Sequence, residues 1–133
     1  MKYYSTNKKV ENVSLQEAVV KGLAEDKGLF MQEQIPQLDK QFFEHIDEFS
    51  FQEIAFEVAK ALFGDDVETE SLKQIVFETL NFDVPLVAVE NNIYSLELFH
   101  GPTLAFKDVG ARFMSRLLGY FIKKQGLKDV NVL

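Results

Sequence analysis

Leu98-Phe99-His100-Gly101-Pro102-Thr103-Leu104-Ala105-Phe106-Lys107-Asp108 joins an extended stretch to a helical one and leaves a single lysine at the start of the helix. Upstream, Leu86-Val87-Ala88-Val89 and Ile93-Tyr94-Ser95-Leu96-Glu97-Leu98 are separated by Glu90-Asn91-Asn92. The spacing predicts a hairpin, with Asn91-Asn92 as a primed turn because asparagine tolerates positive φ. Downstream, the pattern predicts a helix from Lys107 to about Gln125, ended by Gly126, and then a strand over Val130-Asn131-Val132-Leu133. Strand, helix and strand in that order predict the first βαβ crossover of a parallel sheet, so the fold class expected is α/β.

Lys107 is badly placed for an ammonium ion. A helix N-terminus carries roughly +0.5 of an elementary charge, which opposes a cation in the first turn. At about 100° per residue, Lys107 shares a face with Gly110, Ala111, Met114, Leu118, Phe121 and Ile122. Asp108, Arg112, Ser115, Arg116, Gly119 and Lys123 form a separate polar stripe. Two readings follow. In the commoner one the lysine snorkels, with its methylenes on apolar surface and its head in water. In the other, desolvation favours a neutral amine suited to imine formation or proton transfer, beside the space left by Gly110 and Ala111.

Further upstream the pattern is mostly helical. A short strand is expected over Lys2–Ser5, then a helix capped by Ser14 with Glu17 three residues on, the spacing of a capping box. Leu29-Phe30-Met31 reads as extended and is ended by Pro36; Asp39 starts a brief helix over Phe42 and Phe43. Ser50 begins the next, in which Phe51, Ile54, Ala55, Val58, Ala59 and Leu62 recur at three and four, and Gly64 closes it. A further helix from Glu70 to Leu80 turns Leu72, Ile75, Val76 and Leu80 inward, and Asn81-Phe82-Asp83-Val84-Pro85 breaks the pattern. The division expected is a helical region over residues 1–85 and the opening of an α/β domain over 86–133.

Composition narrows the function classes. The 133 residues are 47% hydrophobic and 26% charged, in the range of one globular domain. Thirteen phenylalanines without tryptophan point to a core rich in benzyl side chains. The absence of cysteine excludes disulfides, thiolate nucleophiles and cysteine-ligated metals. His45 and His100, the two histidines, lie far apart, so no histidine metal site is expected. No apolar run approaches the roughly 18 residues of a membrane span, and the start Met1-Lys2-Tyr3-Tyr4-Ser5 lacks a signal-peptide core, so a cytoplasmic protein without membrane partners is expected. A net charge of −7 argues against nucleic-acid binding. The charge is uneven: residues 1–100 hold eight Lys/Arg against nineteen Asp/Glu, residues 101–133 six against two. The basic second part is either a solvated helix face or an attractor of an anionic substrate or of other parts of the protein.

The string His100-Gly101-Pro102-Thr103-Leu104-Ala105-Phe106-Lys107-Asp108, with Gly110 and Arg112-Phe113-Met114, resembles the cofactor-lysine segment of the threonine synthase family. Tyr3-Tyr4-Ser5-Thr6, Gly22-Leu23-Ala24, Gly28-Leu29-Phe30 and Leu96-Glu97-Leu98-Phe99 resemble that family's N-terminal region in order and spacing. The stretch between residues 39 and 80 is only loosely similar, and Met31-Gln32-Glu33, Val109 and Ala111 depart from the family pattern on the scale of packing.

The resemblance implies a pyridoxal-phosphate enzyme of the tryptophan-synthase-β-like class, a carbon–oxygen lyase acting on phosphates that converts O-phosphohomoserine and water to threonine and inorganic phosphate. It implies that Lys107 is the Schiff-base lysine and catalytic residue, that Phe106 lies by the cofactor, and that His100 and Thr103 neighbour the substrate. It further implies that residues 86–133 open the pyridoxal-phosphate domain. The family's glycine-rich phosphate loop is not in the sequence, so the chain is expected to be a truncated N-terminal portion, inactive alone, whose partner is the missing C-terminal part of its own chain. Two other readings stay open: a non-catalytic helical module that docks an acidic partner, and a related enzyme of the same cofactor class with another amino-acid substrate.

Overall fold

A computed structural model describes residues 1–126 of the chain. Strands β1 (Lys2–Ser5), β2 (Val13–Ser14) and β3 (Phe30–Gln32) form an antiparallel sheet with β1 in the centre. Tyr3 lies opposite Val13 on one side and Gln32 on the other. The region up to residue 85 is mostly helical, as expected, and its sheet joins the expected first strand and the extended piece at Phe30 to a strand, β2, that was not expected. A two-residue strand such as β2 has no periodicity to read; only its pairing to β1 defines it.

A polar turn holds β1 to the chain before β3. Ser5, fully buried, donates its hydroxyl to Asp26 Oδ1 at 2.6 Å, and the amides of Gly28 and Lys9 donate to the two Asp26 oxygens at 3.0 Å each. The Ser5 hydroxyl above all holds the Asp26 carboxyl below its usual range, with the two amides adding to it. Gly28 is demanded by crowding: a Cβ there would overlap the Ser5 hydroxyl and stand 2.9 Å from the Asn7 nitrogen.

The helices begin where the capping residues place them. In α1 (Leu15–Lys21) the Ser14 hydroxyl accepts from the Glu17 amide and the Glu17 carboxylate accepts from the Ser14 amide; Ser50 and Glu53 repeat the arrangement at α3 (Phe51–Phe63). Asp39 caps the short α2 (Lys40–Glu44), its side chain accepting from the Gln41 amide. In α4 (Thr69–Thr79) and its C-cap, the expected inward residues Leu72, Ile75, Val76 and Leu80 are all buried. In α3 the expected face is kept in part: Ala59 is buried and Ile54, Ala55 and Leu62 are half-buried, while Phe51 and Val58 are exposed. Ala55, Phe56, Ala59 and Phe63 pack on the core with Gln52 on the same side, which reaches α4 and donates to the Phe77 and Leu80 carbonyls at 3.1 and 2.7 Å.

Strands β4 (Leu86–Glu90) and β5 (Ile93–Leu96) make the expected hairpin, with Leu86 opposite Leu96. Its turn differs from the expectation. Only Asn92 takes the left-handed conformation, at φ 63°, and the register shifts between Ala88 and Glu90, so a bulge supplies the twist that two positive φ values would give a primed turn.

The long helix α5 (Lys107–Gln125) ends on Gly126 at φ 68°, as expected. It packs on α1 and α4, and its Leu117 and Phe121 enter the core formed by Tyr3, Leu15, Ala18, Ala59, Val67 and Leu72. Arg112, expected on a solvated stripe, instead caps the end of α4: it donates to the Thr79 and Glu78 carbonyls at 3.1 and 2.6 Å and to Asn81 Oδ1 at 2.8 Å. The structure is mixed α/β. The strand expected over Val130–Leu133, and with it the parallel crossover, lies outside the described residues.

Candidate functional site

The segment between β5 and α5 is a loop wound on itself. The Leu104 amide donates to the Gly101 carbonyl at 3.0 Å, and Leu104 adopts φ 57°, a left-handed conformation that is unfavourable for a residue with a Cβ. The Asp108 amide then donates to the Ala105 carbonyl at 3.0 Å, and α5 begins at Lys107 with Phe106 as an N-cap that makes no side-chain bond.

Asp108 holds this loop. Its carboxylate accepts the Thr103 amide at 2.9 Å on Oδ2 and the Thr103 hydroxyl at 2.7 Å on Oδ1. At 5% exposure Asp108 is buried, which corrects its expected place on a solvated stripe: the carboxylate folds back over the loop instead of outward. The Thr103 hydroxyl foremost, then its amide, holds the Asp108 carboxyl below the usual range. Gly101 closes the other side, since a Cβ there would lie 2.7 Å from the Asp108 Cβ. Asp108 is the residue that sequence reading missed. Its signals were a glycine and a threonine, seven and five residues ahead of an acid in the first helical turn.

The residues singled out from sequence fall in three places. Thr103 is bound to Asp108 through its amide and its hydroxyl. His100 Nε2 lies 2.7 Å from Glu97 Oε2, and its ring stacks on Phe99 with centroids 4.7 Å apart. Phe106 is 66% exposed, and Lys107 beside it is exposed as well. Among the described residues the Lys107 amine has no hydrogen-bond or ion-pair partner, and no side-chain hydrogen bond links it to His100 or Thr103.

The desolvated setting expected for Lys107 is not supplied by residues 1–126. The shared face explains why: Leu118 and Phe121 on it are buried, but Gly110, Ala111 and Met114 are exposed. The face is apolar along its whole length and covered only in its C-terminal half. A Cβ added at Gly110, one turn from Lys107, meets nothing within 4 Å. No group of three or more His, Cys, Asp or Glu side chains able to hold a metal ion occurs among the described residues, and none of their helices is long and apolar enough to cross a membrane.

Comparison with known proteins places this architecture. The family model described as threonine synthase N terminus matches residues 2–80. The chain belongs to the threonine synthase family. The threonine synthase of Schizosaccharomyces pombe is 41% identical over 133 residues, covering 95% of this chain and 26% of that protein. The crystal structure of the Escherichia coli threonine synthase superposes with a TM-score of 0.85 at 36% identity, covering 91% of this chain and 28% of that one. A threonine synthase from Brucella melitensis, solved with bound pyridoxal phosphate, gives a TM-score of 0.88 at 33% identity, covering 95% of this chain and 28% of that one. The chain thus spans between about a quarter and three-tenths of the length of the relatives it matches. A family defined by an enzyme does not favour the reading as a helical docking module.

Proposed function

We propose that this chain supplies the cofactor lysine of a pyridoxal-phosphate-dependent threonine synthase, a lyase that turns O-phosphohomoserine and water into threonine and inorganic phosphate. The observation that carries the reading is the Lys107 amine, free of partners among the described residues at the first position of α5, within an ungapped string that resembles the family's cofactor-lysine segment. The residues present fit the aldehyde end of the cofactor: a primary amine in open space, one turn from a glycine that leaves room for a ring. For the phosphate end they offer no glycine-rich loop, since no two of the seven glycines are closer than six residues. That end is assigned to the part of the protein beyond residue 133.

When bound, pyridoxal phosphate supplies an electron sink for charge developing on the substrate carbons. Lys107 holds the cofactor and moves protons. Phe106, exposed beside it, packs on the cofactor, and His100, with Glu97 against its ring nitrogen, faces the substrate. The hydroxyl of Thr103 is engaged by Asp108, so its contribution near the substrate is to place the loop. Residues 86–133 open the cofactor domain after the region of residues 1–85, whose core the C-terminal half of α5 helps to complete. The apolar hairpin and the exposed start of α5 face the C-terminal part of the same protein, in a cytoplasmic enzyme.

The test is direct. Pyridoxal phosphate is added to the protein extended past residue 133, reduced with borohydride, and the modified lysines are mapped by mass spectrometry. Modification concentrated at Lys107 supports the assignment; modification spread over other lysines and missing from Lys107 overturns it. Phosphate release from O-phosphohomoserine with threonine as co-product, measured on the protein extended past residue 133, decides the substrate.

A further inference from the structure

We propose that Asp108 is a positioning residue for Lys107: by clamping Thr103 through both its amide and its hydroxyl, it sets the loop from which the lysine and Phe106 meet their ligand. The inference rests on the reading of Lys107 as the cofactor lysine and adds a residue to it.

Three observations converge on the clamp. Both carboxylate oxygens are engaged, Oδ2 by the Thr103 amide at 2.9 Å and Oδ1 by the Thr103 hydroxyl at 2.7 Å, so the group is fixed in two directions. The site is built around it: Asp108 is 5% exposed, and Gly101 leaves the space that its carboxylate fills. The loop also contains a conformation it would not choose alone, since Leu104 at φ 57° is 76% exposed and has no burial of its own to offset that conformation. Hydrogen bonds to a charged acceptor are about twice as strong as neutral ones, and here they are the interactions that span the loop from residue 103 to the helix. Lys107 stands between the clamp and the exposed Phe106, so the path of its backbone is set by the pair.

The charge matters because each Thr103 group is a donor. Asp108→Asn keeps one acceptor oxygen and turns an NH2 group toward the other donor, which breaks half the clamp without changing the volume. Thr103→Val removes the hydroxyl bond and keeps the shape, whereas Thr103→Ser keeps the hydroxyl.

The experiment reads two quantities in the protein extended past residue 133. The first is hydrogen exchange at the Thr103 amide, with the Leu117 and Phe121 amides as controls for the core. Asp108→Asn is expected to speed exchange at Thr103 by about tenfold with the two controls unchanged. The second is the pyridoxal-phosphate concentration that half-saturates borohydride-trapped modification at Lys107, with Lys123 and Lys124 as internal standards. Asp108→Asn and Thr103→Val are expected to raise it about threefold, and Thr103→Ser to restore the parent value.

The proposal is overturned if the Thr103 amide exchanges at the parent rate in Asp108→Asn. It is equally overturned if exchange rises while half-saturation at Lys107 stays unchanged, because the clamp would then be local to the loop. Should Asp108→Asn also release the core amides, the Val and Ser variants at Thr103 decide: equal half-saturation in both overturns it. Failure of the parent chain to modify Lys107 above the standards overturns the assignment of Lys107 instead, and the exchange arm still reads the clamp.

Discussion

The region over residues 2–80 and the region over residues 86–106 are both rich in apolar side chains and both expose some of them, yet only the first gathers others into a buried core. In the first, Tyr3, Leu15, Val67, Leu72 and Val76 are buried against one another and against Leu117 and Phe121 of α5. In the second, Leu86, Val89, Ile93, Tyr94, Leu96 and Phe106 are each more than half exposed. The difference teaches that α5 has two functions along its length. Its C-terminal half is a structural element of the N-terminal core, and its first turns carry Lys107, Gly110, Ala111 and Met114 on an uncovered face. An apolar strand face is stable in water only when covered, so the hairpin is the surface on which further protein is expected to pack.

The contrast can be broken or sharpened by substitution. The largest effect is expected at Phe121, 1% exposed and at the meeting of α5 with the core. Phe121→Ala is expected to destabilise the chain by about 3–5 kcal/mol in urea denaturation. A loss under about 1 kcal/mol would show that α5 is not part of the first region's core.

A smaller change of opposite sign is expected at Thr79. Among the described residues its hydroxyl is buried without a hydrogen-bond partner, beside an apolar cleft of about 230 Å³ between α3, α4 and α5 that Ala55, Val76, Val109 and Phe113 help to line. Thr79→Val keeps the shape and removes an unsatisfied polar atom, so it is expected to raise stability by about 1 kcal/mol. A loss of stability would mean that water or another group satisfies this hydroxyl in solution.

The smallest effect on stability is expected in the second region. Leu86→Ser, at a position 64% exposed, is expected to change the unfolding free energy by less than about 0.5 kcal/mol in urea denaturation. Destabilisation as large as that of Phe121→Ala would erase the distinction between the two regions.

Much of this contrast is legible in the sequence, for reasons particular to each element. The capping boxes at Ser14/Glu17 and Ser50/Glu53 join residues three apart, so their geometry is local and the helix starts fall where the motif puts them. The inward face of α4 is legible because it holds one clean stripe. α3 is apolar on too many sides for that; periodicity named a stripe, but the side that packs on the core also carries Phe56, Phe63 and Gln52, which bonds across to α4. The hairpin strands were plain and their bulge was not, since register is a property of the pair. At the candidate site, the lysine and its string were legible and the clamp was not. An aspartate in the first turn of a helix reads as a solvated partner of the dipole, and only the return of the loop buries it.

By itself, then, the sequence determined the local elements, the family to which they belong and the unusual position of Lys107, because caps, breakers and short motifs act over a few residues. Tertiary structure alone decided that β2 pairs with β1, that Arg112 closes the end of α4, that Asp108 is buried against Thr103, and that the lysine's face is covered along only half of α5. Each of these depends on groups that are distant in the chain, or on a loop closing back upon a helix, and no pattern along the chain records where such a closure brings a charge out of water.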